Sequence, residues 1–139
     1  MDSRRKERDV VNRLTADHLI AGPQVSGYKL AHNDEYHLLV VNHRIAPLTP
    51  TEYLLSMAML RVRERWETAT GQVPLCASFA HLQHVTGIRQ RNLLSKHVSN
   101  ASCKLAPLGI RFASVGEGYI TLFEADLSYS EREATSGHG

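Results

Sequence analysis

The segment that decides the fold is residues 48–55, which read Leu-Thr-Pro-Thr-Glu-Tyr-Leu-Leu. Thr49 can cap a helix, and Pro50 suits the first turn because its missing N–H would have no partner there. Glu52, three residues after the cap, completes a capping box. The apolar residues that follow recur at helical spacing, so the sequence predicts a helix that starts here and ends at Thr70-Gly71.

Two further helices are predicted downstream. One starts near Pro74 and stops at Gly87. The other runs from about Arg91 to Leu105, and its apolar residues recur at spacings of four, three and four. This spacing places four apolar residues on one face of the helix, and we expect that face to be buried. The four residues are Leu94, Val98, Ala101 and Leu105.

Short strands are predicted on both sides of the three helices. Before them, turn residues separate apolar runs that are typical of a small antiparallel sheet, at residues 28–30, 36–41 and 44–48. After them, residues 110–114 and 119–123 form a hairpin around Gly116-Glu117-Gly118. The predicted order is therefore sheet, three helices, hairpin.

Three of these pieces, in this order, resemble the OmpR/PhoB-type winged helix-turn-helix family of response-regulator effector domains. The resemblance covers roughly residues 26–124: residues 48–55 are similar to the family's first helix, 96–105 to its recognition helix and 115–119 to its wing. It implies an α+β winged helix-turn-helix fold, with a small N-terminal antiparallel sheet, three helices and a C-terminal β-hairpin wing. Family members place the third helix in the major groove of DNA and the wing near the adjacent minor groove. We expect no phosphorylatable receiver domain, because too few residues precede the match.

The predicted organisation has three parts. Residues 1–24 form a basic N-terminal arm or helix, residues 25–125 the winged-helix domain, and residues 126–139 a flexible acidic tail. Basic arms contact DNA in other proteins, so residues 4–8, Arg-Arg-Lys-Glu-Arg, are candidates for phosphate contacts. A solubilising terminus is an equally good interpretation of the same residues.

The third predicted helix supplies the candidate DNA-binding residues. Asn can pair with adenine, and Lys can reach guanine or phosphate, whereas flanking basic residues fix the register on phosphates. We expect Lys96, Asn100 and Lys104 to carry most of the interaction. The full candidate set is Arg89, Arg91, Asn92, Lys96, His97, Ser99, Asn100, Cys103 and Lys104.

Two departures from the family pattern favour an alternative. Asn100, Ser102 and Cys103 stand where arginines are common in recognition helices, and Glu117 at the wing tip would be repelled by phosphate. A winged-helix protein–protein interaction module that has lost DNA binding is therefore the second hypothesis.

Composition sets the remaining expectations. A net charge of +2 permits a nucleic-acid partner without requiring one, and no apolar run is long enough to cross a membrane. No catalytic motif is present, His81 and His84 have no further metal ligands at a recognisable spacing, and two cysteines fit a reducing compartment. We therefore expect a cytoplasmic transcriptional regulator that is not an enzyme, uses no cofactor or metal, and binds double-stranded DNA. It would act as a homodimer or with a partner regulatory protein.

Overall fold

The computed structural model describes residues 19–25, 27–69 and 76–124. Within them the chain is α+β, with three helices and two small antiparallel sheets. The predicted arm, except for its last residues, and the predicted tail lie outside the described residues. The elements are β1 (Ile20–Ala21), β2 (Leu30–Asn33), β3 (Leu38–Val41), β4 (Arg44–Ile45), α1 (Pro50–Thr68), β5 (Ala77–Ser78), α2 (Phe79–Thr86), α3 (Arg91–Leu105), a 3-10 turn (Ala106–Leu108), β6 (Ile110–Val115) and β7 (Gly118–Phe123).

The N-terminal sheet has the strand order β1-β2-β3-β4. The two-residue turn at Asn42-His43 joins β3 to β4 as predicted, and both residues have positive φ, 47° and 69°. Strand β4 is shorter than the predicted strand, which covered residues 44–48. Ala46 N–H still donates to Leu39 C=O at 2.8 Å, but Pro47 has no N–H to continue the ladder.

The turn between β2 and β3 lies further along the chain than the sequence indicated. His32 and Asn33, which fall between the predicted apolar runs 28–30 and 36–41, belong to β2, and the turn occupies residues 34–37. His32 is buried, and its Nδ1 has hydrogen-bond partners there: it lies 3.0 Å from Asp34 Oδ1 and 3.1 Å from Tyr53 Oη. Tyr53 donates to the same Asp34 oxygen at 2.5 Å, and this hydrogen bond lowers the pKa of Asp34. Polar residues can therefore occupy a buried strand position here, since each finds a partner.

Helix α1 begins with the predicted capping box. Glu52 N–H donates to Thr49 Oγ1 at 3.3 Å, and Thr49 N–H donates to Glu52 Oε1 at 2.9 Å. The helix ends at Thr68, next to the predicted stop. It is the centre of the domain and packs against α2, α3, β5 and β7.

Helix α2 starts later than predicted. Ser78 caps it by accepting from His81 N–H at 3.1 Å. Pro74 lies outside the described residues, and Ala77–Ser78 form β5 where the sequence predicted helix. Gly87 ends the helix as predicted, with the left-handed φ of 76° that favours glycine.

Helix α3 matches its prediction at both ends. The predicted core residues are all buried, each at most 1% exposed: Leu94, Val98, Ala101 and Leu105.

The C-terminal sheet has the order β5-β7-β6. Strands β6 and β7 form the predicted hairpin, closed by Gly116 and Glu117, with Gly116 at a φ of 50°. Gly118 lies so close to β5 that a Cβ at this position would be 2.1 Å from Ala77 C=O. The third strand therefore packs beside the hairpin only because residue 118 has no side chain.

A buried arginine joins α1 to the hairpin. Arg63 Nη1 donates to Thr121 C=O at 3.0 Å. Its guanidinium carbon lies 4.2 Å from the centroid of the Trp66 ring and 4.7 Å from that of Phe123. These aromatic faces offset part of the desolvation of the charge. Among the described residues, no helix is both long and apolar enough to cross a membrane.

Candidate nucleic-acid interface

Helix α3 has one buried face and one exposed face. Opposite the four buried core residues, the helix surface is formed by polar side chains, all exposed: Asn92, Lys96, Ser99, Asn100 and Cys103. These positions span 12 residues, or about 17 Å at a rise of 1.5 Å per residue. We call this strip the outer face of α3.

One flank of α3 is fixed to the hairpin by hydrogen bonds. Tyr119 Oη donates to Ser95 Oγ at 3.0 Å, and Phe112 N–H donates to Ser102 Oγ at 3.0 Å. The small hydroxyls let β6 and β7 approach the helix closely. As a result the outer face and the hairpin are held in a fixed relation.

The opposite flank is fixed to α1 through Lys104. Its Nζ lies 2.6 Å from Oε1 of Glu52, which is 2% exposed. Burial raises the pKa of Glu52, but hydrogen bonds from Lys104 and from Thr49 N–H outweigh it, and the net effect lowers the pKa. Lys104 therefore differs from the other candidate residues, because its ammonium group holds two helices together.

His97 shares this flank, since it lies seven residues, or about two turns, before Lys104. It is partly buried, whereas Arg89 and Arg91 are exposed at the other end of the helix. Leu93, which the sequence interpretation did not single out, lies one turn before His97. It is 42% exposed, an apolar side chain at the edge of the outer face.

The turn between α2 and α3 is well supported by hydrogen bonds. Gln83 Nε2 donates to Arg89 C=O at 2.7 Å, and Gln83 C=O accepts from Gly87 N–H at 2.7 Å. Thr86 Oγ1 donates to Leu82 C=O at 2.9 Å and accepts from Ile88 N–H at 3.2 Å. The angle between the two helices is therefore set before any ligand binds.

An aromatic stack braces the start of α3. The Arg91 guanidinium carbon lies 4.6 Å from the centroid of the Phe79 ring, and Phe79 meets Tyr119 edge-to-face at 5.5 Å. A stacked guanidinium keeps its in-plane N–H groups available for an anion. Phe79 N–H also donates to Glu117 C=O at 2.9 Å, so the hairpin tip is anchored at the start of α2.

Positive charge is concentrated around the start of α3. Arg89 and Arg91 lie at the end of the helix where the macrodipole is also positive. Gln90 makes no side-chain cap bond there, unlike Thr49 at the start of α1. This arrangement costs roughly 0.3–1 kcal/mol per charge at a surface helix end, and a bound anion would relieve it.

The excess of positive charge extends through the sequence around α2 and α3. No Asp or Glu occurs between Glu67 and Glu117. The same stretch contains five basic residues: Arg89, Arg91, Lys96, Lys104 and Arg111. The net charge of +2 for the whole chain does not show this separation of acidic from basic residues. Counting the charged residues segment by segment would have shown it.

Metal ligation gains no support from the described residues. His81 and His84 are exposed on α2, and no group of three His, Cys, Asp or Glu side chains there could hold an ion.

No protein-family model, curated protein or solved structure matches this chain. The resemblance to the winged-helix family therefore stays a prediction that rests on residues 48–55, 96–105 and 115–119 and on the order of the elements.

Proposed function

We propose that the chain is a winged helix-turn-helix protein that regulates transcription by binding duplex DNA, with α3 in the major groove. The observation that carries the proposal is the outer face of α3. It is exposed along its full length, polar, and part of a stretch without acidic residues.

The dimensions of the helix suit this role. An α-helix with side chains is about 10–12 Å wide, and the major groove of B-DNA is about 12 Å wide. Asn92, Lys96 and Asn100 follow one another at four-residue spacing, about 6 Å apart along the axis. Asn recognises adenine through two hydrogen bonds, and we assign Lys96 to a backbone phosphate. Arg89 and Arg91, which are exposed at the start of the helix, would contact the backbone phosphates and set its register.

The exposed cations near the outer face determine how much this face itself contributes to the electrostatic part of binding. Near the outer face only Arg89, Arg91 and Lys96 are exposed cations within the described residues, since Lys104 is paired with Glu52. Three phosphate contacts give a slope of log K against log salt of about −3 for each bound copy. Because this is a modest contribution, we propose that two copies, or one copy with a partner regulatory protein, occupy a bipartite site.

A protein–protein interaction module is the second candidate. It is favoured by Glu117, which is exposed at the hairpin tip, and by the exposed Leu93 at the edge of the outer face. An acidic tip opposes insertion into a minor groove, and an apolar side chain at the rim suits a protein partner.

A mobility-shift assay on mixed genomic fragments at several salt concentrations separates the two candidates. DNA binding predicts a shift that weakens with salt and is reduced by Lys96→Ala. Lys29→Ala is the matched control, because Lys29 is also exposed but lies before β2, away from α3. The absence of a shift at low salt, with a folded protein, would leave the interaction module as the better account.

A further inference from the structure

Leu93 is an apolar side chain on an otherwise polar surface. It is 42% exposed and is the third residue of α3, which begins at Arg91. The next residue, Leu94, is fully buried and supplies the core contact at this level of the helix. Leu93 therefore adds little to the packing of α3 in the domain, and its exposure leaves apolar carbon in contact with water.

The spacing along α3 places Leu93 beside the outer face. Leu93 precedes Asn100 by seven residues, which is close to two full turns, so the two side chains lie on the same side of the helix, about 10 Å apart along its axis. Lys96 follows Leu93 by three residues and is its neighbour on the helix surface. The surface that we assign to DNA thus has one apolar position near its N-terminal end.

The start of α3 is also the end that we expect to lie nearest the bases. In helix-turn-helix proteins the N-terminal residues of the recognition helix contact the base edges. Here the same end carries Arg89 and Arg91, both exposed, and the Arg91 guanidinium is held against the Phe79 ring. Phosphate contacts made by these arginines would hold the start of α3 at the groove, and Leu93 would enter the groove with it.

The major groove offers an apolar side chain only one apolar partner. The base edges carry hydrogen-bond donors and acceptors, and the exception is the 5-methyl group of thymine. Against any other base edge, Leu93 would displace water from polar atoms without replacing the lost hydrogen bonds. Against the methyl group, two apolar surfaces leave water together, which is favourable.

We propose that Leu93 contacts the 5-methyl group of a thymine, so that α3 selects an A·T pair at this position in addition to the adenine assigned to Asn100. The inference rests on the proposed function and adds one recognised base to it. The distance of about 10 Å between Leu93 and Asn100 corresponds to about three base pairs at roughly 3.4 Å each. The thymine therefore lies about three base pairs from the adenine.

Replacing thymine by uracil tests the contact with one methyl group. Uracil lacks only the 5-methyl group and keeps the same base pairing, donors and acceptors. The probe is the duplex recovered by selection from a random pool, with its thymines replaced by uracil one at a time. The native chain should bind one of these duplexes about fourfold more weakly, which is the effect of burying one methyl group.

The variant Leu93→Ala assigns the effect to this side chain. Alanine keeps the helix propensity of the position but removes the carbons that reach the methyl group. The variant should bind the thymine and uracil duplexes equally, both about as weakly as the native chain binds the uracil duplex. Leu54→Ala is the matched control, because Leu54 is 37% exposed but lies on α1. It should keep the fourfold difference, and melting curves followed by circular dichroism check that both variants fold.

The outcomes separate this inference from the proposed function. A selected site in which no thymine responds to uracil would overturn the assignment of Leu93 and leave DNA binding intact. A uracil effect that persists in Leu93→Ala would show that another residue contacts the methyl group, which also overturns the assignment. A pool that stays random at low salt, with a folded protein, would overturn the proposed function and this inference together.

Discussion

Replacing Lys104 by methionine should destabilise the protein without weakening the proposed contact with DNA. Methionine keeps most of the length of the side chain but removes the ammonium group. The carboxylate of Glu52, which is 2% exposed in the native structure, then has no counter-ion. Removing one partner of a fully buried pair costs about 3–5 kcal/mol, and an exposed pair contributes only about 0.2–1 kcal/mol. Lys104 is 35% exposed, so we expect a loss of about 1–3 kcal/mol in the free energy of unfolding.

Urea unfolding at neutral pH measures this loss. Lys96→Met is the matched control, because Lys96 is exposed on the same helix and has no ion pair among the described residues. It should change stability by less than about 0.5 kcal/mol. The double variant Glu52→Gln, Lys104→Met should be more stable than Lys104→Met, since glutamine still completes the capping box but carries no buried charge. A stability of Lys104→Met equal to that of the native chain would refute the reasoning.

The same pair predicts a pH dependence. The folded-state pKa of Glu52 lies below its ordinary value of 4.5. Its contribution to stability is therefore present above pH 4.5 and is lost as the pH falls through the lower, folded-state pKa. The difference in unfolding free energy between the native chain and Lys104→Met should accordingly be largest near neutral pH and shrink below pH 4.5. A difference that stays constant from about pH 7 to about pH 3 would contradict the assignment.

Further predictions concern the outer face, the hairpin and the N-terminal arm. Asn100→Ala should reduce the discrimination between a specific and a scrambled duplex by about 1–3 kcal/mol, whereas Lys96→Ala should weaken binding to both duplexes and reduce the salt slope by about 1. Binding titrations on the two duplexes measure these effects, and equal losses on both duplexes for both variants would contradict the assigned roles. Gly118→Ala should lower the melting temperature followed by circular dichroism, because its methyl group would collide with Ala77 C=O; an unchanged melting curve would mean that β5 can move away. Deleting residues 1–9 should weaken DNA binding and flatten its salt dependence, and an unchanged slope would assign the arm no phosphate contact.

Local signals in the sequence were sufficient for much of the fold. The capping box at Thr49 and Glu52, the left-handed glycine at residue 87 and the apolar spacing of α3 each act within a few residues. The helix ends and the buried helix face that these signals predict therefore do not depend on contacts with the rest of the chain. The outer face of α3 follows from the same spacing, because the buried residues determine which side is exposed.

Non-local features were not predictable in the same way. Strand β5 has only two residues and no alternating pattern, and it exists because Gly118 allows Ala77 to approach. The buried strand position of His32 was not predictable, because its partner Tyr53 lies 21 residues away. The ion pair of Lys104 was not predictable, because its partner Glu52 lies 52 residues away on another helix. In each case the deciding contact joins segments that only the tertiary fold brings together.

Enrichment of bound sequences from a random duplex pool tests most directly whether the outer face of α3 reads DNA. We expect a recurring site with adenine positions, which the native chain and Lys29→Ala both select and which Asn100→Ala selects less strictly. Two half-sites about one helical turn apart would agree with two bound copies. A pool that remains random after selection at low salt, with a folded protein, would contradict the proposed function.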